Sequence, residues 1–124
     1  MPFKSEFAMT NDFLRVKTTG TLASVQEVEQ YVDAIRTEAL KQQTKKVLLD
    51  ERELWDKQDT HDAYRFSESD VVTLTALAGI RISGISHPDN YELNKTYETL
   101  LMNRSLIFKV FLYEDDALEW LLNT

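Results

Sequence analysis

The chain has 124 residues, 43% of them hydrophobic and 28% charged, a mix suited to one globular domain with a real core. Its net charge of -7 and pI near 4.8 argue against a nucleic-acid binder, which would carry a basic face, and against attraction to an anionic membrane. The absence of cysteine excludes disulfides, thiolate catalysis and cysteine metal sites.

Phe3 to Met9, followed by the turn residues Asn11-Asp12, reads as the first arm of a hairpin. The second arm, FLRVKTTGTL (Phe13 to Leu22), alternates as a strand with one wet face does. Ser24 with Glu27 three residues on forms a capping-box pattern, and Val25, Val28, Val32, Ile35 and Ala39 make one face of a helix reaching about Gln43. Val47-Leu48-Leu49 is an uninterrupted apolar run, as in a central strand buried on both faces. Lys41, Lys45 and Lys46 before it form only a small basic patch.

Asp56 to Asp62 has no periodicity and reads as a polar loop. A second helix follows over Ala63 to Ala78, interrupted at FSESD, where Ser67 or Ser69 can act as an internal cap, and ended by Gly79. Ile80, Ile82 and Ile85 form the next strand. Pro88 opens a third helix, whose inner face is Tyr91, Leu93, Tyr97, Leu100 and Leu101. IFKVFLY (Ile107 to Tyr113) is the clearest strand, and EDDALEWLL is a short helix with acids at its positive end. Strands alternating with about four helices predict an α/β fold: a mixed, mostly parallel sheet with an N-terminal β-hairpin, as a single domain over residues 1–124.

The acid run Asp50, Glu51, Glu53, Asp56, Asp59, Asp62 invites three chemistries. Two carboxylates flanking a sugar can hydrolyse a glycoside, but no aromatic beyond Trp55 suggests a sugar cleft. Converging carboxylates can hold Mg²⁺, as in receiver domains, but those need an acidic pair after the first strand, where this chain has Thr18-Thr19-Gly20. Asp50 and Glu51 are adjacent on a strand and should point apart, leaving Asp50 to cap the following turn. The ordinary reading of such a run is a solvated loop. His61 and His87 lack a zinc ligand set. Ser86-His87 is adjacency, not a nucleophile–base pair. Gly20, Gly79 and Gly84 lack the spacing of a phosphate cradle. We therefore expect no catalytic residue, no metal site and no cofactor.

In the order of these elements the chain resembles the STAS superfamily, and more closely its stand-alone bacterial SpoIIAA-like proteins. The residues that carry the likeness are the capped helix SVQEVEQYVDAI, the stretch KKVLLDERELW, which looks like the family's central strand ending in Asp, here Asp50, and the closing IFKVFLYEDDALEWL. The resemblance implies a non-enzymatic regulatory or protein-interaction module with a protein partner, and a homodimer. It marks Asp50, Asp59, Thr60 and Ser67 as phospho-switch or partner-surface residues. Family members of the anti-sigma-factor-antagonist type carry Asp-Ser/Thr-Ser/Thr-Gly at the mouth of the second helix. Here Asp59-Thr60 fits the first half, while His61-Asp62 departs and the glycine is missing. Some relatives are likened to lipid-binding Sec14-type folds. That implies an alternative, a small apolar-ligand binder using a pocket between sheet and helices. The polar N-terminus and the lack of a long apolar run lead us to expect no signal peptide, no membrane insertion and a cytoplasmic location.

Overall fold

The computed structural model describes residues 3–123. Five strands form one sheet in sequential order: β1 (Phe3–Met9), β2 (Leu14–Leu22), β3 (Lys46–Asp56), β4 (Arg81–Ser86) and β5 (Ile107–Phe111). β1 and β2 pair antiparallel, and the other neighbours pair parallel. The helices are α1 (Val25–Lys41), α2 (Thr60–Ser67), α3 (Asp70–Leu77), α4 (Tyr91–Met102) and α5 (Glu114–Leu122). A 3₁₀ turn, Pro88–Asn90, leads into α4.

Sequential strand order has a consequence. Right-handed crossovers from β2 through to β5 all fall on one face of the sheet. The larger core lies there, between Val16, Val47, Leu49 and Ile82 of the sheet and Val28, Ile35, Phe66 and Leu101 of the helices. Among the described residues, only α5, which follows the last strand, covers the opposite face, where Ala117 and Leu121 pack on Leu48 and Ile85. Val47-Leu48-Leu49 is thus flanked by β2 and β4 and buried on both faces, as its apolar run predicts.

The local signals act where expected. Ser24 caps α1 by accepting from Glu27 N (3.2 Å), while the Glu27 carboxylate reaches back to Ala23 N (2.7 Å). Gly79, at φ +73°, turns the chain out of α3. The expected second helix is two helices. It begins at Thr60, earlier than Ala63, and breaks after Ser67. Ser69 takes the cap position of α3, though its side chain makes no capping hydrogen bond.

The main departure is β3. The apolar run predicts a short strand ending at Asp50, but the strand continues to Asp56. Pairing with β2 supports the extension: Lys17 is opposite Asp50 and Thr19 opposite Glu53, so β3 carries one extra residue between them. That bulge resets which residues face the core. Leu49 and Glu51 face it before the bulge, and Leu54 and Asp56 after it. The loop to α2 is correspondingly short, and α2 is held by a reciprocal capping box in which Asp59 Oδ1 accepts from Asp62 N (2.8 Å) and Asp62 Oδ2 accepts from Asp59 N (3.1 Å).

Candidate functional site

The acid run is not one solvated loop. Asp50, Glu51 and Asp56 are buried, and the pleat sends them to different sides of the sheet. Asp50 lies on the α5 side. Its carboxylate accepts from Arg52 Nε (2.9 Å), Arg52 Nη2 (2.8 Å) and Arg52 N (3.3 Å), with Arg15 Nη2 at 3.5 Å. Glu114 at the start of α5 accepts from both arginines, at 2.9 and 3.1 Å. The hydrogen bonds from Arg52 hold the Asp50 carboxyl below its ordinary value, and those from Arg15 lower Glu114 likewise. The capping expected of Asp50 is therefore made to Arg52 within a bulged strand, since no turn follows it. Four charges closed on themselves in this way tie α5 to β2 and β3.

Glu51 faces the opposite way, into a cavity beneath α1, α2 and α4. Tyr31 of α1 donates to its Oε2 at 2.7 Å. Among the described residues this is its one side-chain hydrogen bond, and Glu51 is 8% exposed. Burial pushes its carboxyl up to about 7, helped by the nearby charges of Asp56 and Asp50 and opposed by the Tyr31 hydroxyl. Burial, then the carboxylate of Glu51, pushes the Tyr31 phenol well up too, so it stays a donor.

Asp56 enters the same cavity after the bulge. Its Oδ2 accepts from Tyr97 of α4 (3.2 Å) and its Oδ1 from Gln58 N (2.9 Å). Burial raises its carboxyl as well. Asn90 clamps the Asp56 backbone from both sides, accepting from Asp56 N (2.9 Å) and donating to Asp56 O (3.0 Å). Asn94 donates to Ser86 Oγ at 2.8 Å, and Ser86 donates onward to His87 O at 2.7 Å. These bonds fix the ends of β3 and β4 against the start of α4. The C-terminal ends of parallel strands are where open α/β sheets place their ligands.

Elsewhere the wall is apolar: Leu22, Leu49 and Leu54 from the sheet, Val28 and Ile35 from α1, and Phe66 from α2, whose ring packs edge-on against Tyr97 at 5.9 Å. The cavity measures about 60 Å³. A single water occupies about 10–15 Å³ by that measure, and a cavity of about 150 Å³ takes benzene. There is room for a group of a few heavy atoms.

The four residues marked by resemblance do not form one patch. Asp50 is locked between arginines on the α5 side. Ser67 is 2% exposed, with its hydroxyl donating to Tyr64 O at 2.6 Å, so it leaves the exposed surface. Asp59 and Thr60 are exposed and adjacent at the start of α2, near exposed Tyr64. Burial of Glu51 and Asp56 was missed in the sequence because it depends on the bulge. Tyr31 was missed because a tyrosine in a valine stripe carries no mark of a buried partner. Among the described residues, no three His, Cys, Asp or Glu side chains group as metal ligands, and no helix is long and apolar enough to cross a membrane.

No protein-family model and no curated protein matches the chain. Among solved structures, it is similar to an uncharacterised protein of the DUF3478 family with a SpoIIAA-like fold from Shewanella loihica PV-4. The two are 21% identical with a TM-score of 0.56, over 97% of this chain and 94% of that one. It is also similar to an anti-sigma factor antagonist from Mycobacterium paratuberculosis, at 12% identity and a TM-score of 0.55, over 96% and 93% of the two chains. At such identities the likeness is one of fold, and the expected SpoIIAA-like fold is the observed one.

Proposed function

We propose that this chain is a non-enzymatic regulatory module that acts in the cytoplasm by contact with a protein partner, working as a single unit over residues 1–124. The observation that supports the reading is the fold, shared over nearly its full length with an anti-sigma factor antagonist. The contact surface is the exposed start of α2, with Asp59, Thr60 and Tyr64. Thr60 stands at the first position of the helix, where a phosphate would meet the positive end of the dipole. Asp59 and Asp62 beside it would oppose that charge. The exposed Trp55 and Tyr64 also support a weak homodimer. A photo-crosslinking residue at position 64 tests the surface, with position 109 on β5 as control. Capture of one defined partner, or of a second copy, from position 64 alone is the expected result. Equal labelling from both positions would count against this surface.

The cavity favours a second reading, that of a small-ligand binder. Its volume limits the occupant to a short apolar body and not a lipid chain. The two readings are compatible, because Phe66 lines the cavity from the same short helix that presents Thr60 and Tyr64 outward.

A further inference from the structure

We propose that the cavity between β3 and helices α1, α2 and α4 is a binding site for a small organic cation, an amine on a short apolar body, held by ion pairing to Glu51. The inference rests on the reading of the cavity as a ligand site and goes on to name the ligand's chemistry.

Charge makes the first argument. Two carboxyl groups, Glu51 and Asp56, enter the cavity, and no lysine, arginine or histidine among the described residues lines it. Buried charge is costly unless paired. Asp56 has a backbone donor and a phenol donor, but among the described residues Glu51 has only Tyr31. The missing partner is a cation or a strong hydrogen-bond donor. An anionic ligand would meet two acids and no base, and is excluded.

The second argument is geometric. Glu51, Asp56, Asn90, Asn94 and Tyr97 lie toward the tips of β3 and β4, while Ile35, Leu49, Ile82 and Phe108 wall the deeper part of the cavity. A ligand with one polar end and one apolar end matches that division. The volume, well under half of what benzene needs, admits roughly a two-carbon chain and its nitrogen.

Proton linkage supplies a readout. The titratable groups around Glu51 are Tyr31 from α1, Tyr97 from α4, and Asp50 and Asp56 on its own strand. Both tyrosines stay neutral and donating, because burial raises them. An ammonium ion binds the ionised carboxylate, so its binding releases the Glu51 proton. With the carboxyl at about 7, affinity should be about 30-fold higher at pH 8 than at pH 5.5.

The test uses ethylammonium, ethanol and acetate, titrated into ¹⁵N-labelled protein at pH 8 and pH 5.5. The expected result is millimolar binding of ethylammonium with shifts at Tyr31, Glu51, Leu54 and Tyr97. Binding should weaken about 30-fold at pH 5.5. In Glu51→Gln, whose fold the same spectrum verifies, it should weaken at least tenfold. Wild-type pH dependence stands as evidence if that variant does not fold. Ethanol or acetate binding as well as the amine, or an amine response indifferent to pH, would overturn the cation assignment while leaving the cavity a ligand site. If none of the three shifts the cavity residues, the ligand-site reading falls with it.

Discussion

Replacing Glu51 by Gln should stabilise the protein above neutral pH and remove one component of its pH dependence. Glutamine keeps the size and the acceptor for the Tyr31 hydroxyl, and removes only the charge. In the folded state the carboxyl titrates at about 7, against an ordinary 4.5. Between those values the native state binds one more proton than the unfolded chain. Stability from this group is therefore fully present below pH 4.5 and is lost as pH rises through 7. At about 1.4 kcal/mol per pH unit, the loss is about 3 kcal/mol, a large share of the stability of a small domain. For a domain of this size that corresponds to roughly 10 °C in Tm. The assay is urea denaturation of wild type and variant at half-unit steps from pH 4.5 to 8.5. The difference between the two cancels the general repulsion of an acidic chain. The variant should gain on the wild type progressively from pH 4.5 to 7.5 and then hold a constant advantage. Parallel curves would refute the burial of an ionisable group at this position.

Tyr31→Phe removes the donor to Glu51 and should cost about 1–3 kcal/mol at pH 8, where the carboxylate is left bare, and much less at pH 5 by the same urea assay. Asp50→Asn leaves Arg15 and Arg52 with Glu114 alone and should cost about 1–2 kcal/mol at pH 7. Because Asp50 sits below its ordinary 3.8, that cost should fade as pH drops through its depressed value. Gly84→Ala places a Cβ 3.2 Å from Phe108 Cε1, but Phe108 lines the cavity and can move into it. The cost should stay below about 1 kcal/mol, short of the usual overpacking range, and the ethylammonium response should be lost.

The parts of the fold that were legible are those governed by short-range rules. The hairpin arm Phe3–Met9 follows from alternation and a turn, α1 from Ser24 and its apolar stripe, and α5 from acids placed at a helix start. The central place of Val47 to Leu49 follows from a run too apolar for any edge. The site was not legible, because it depends on register. One extra residue between Asp50 and Glu53 decides that Glu51 and Asp56 share a cavity while Asp50 faces Arg52, and no composition marks that residue. Without the bulge, strand alternation would place Asp56 on the side of Asp50. The break after Ser67 was visible in FSESD, but the burial of the Ser67 hydroxyl against Tyr64 was not, because a serine reads alike in a loop and at the inner end of a helix.

The most direct measurement is the titration of the Glu51 side-chain carboxyl by ¹³C NMR in the full chain, assigned with Glu51→Gln, first alone and then with saturating ethylammonium. A midpoint near 7 that moves toward 4.5 when the amine is present is the predicted result, since a paired cation favours the ionised form. A midpoint near 4.5 in both titrations would show a solvated carboxylate at position 51 and contradict the site.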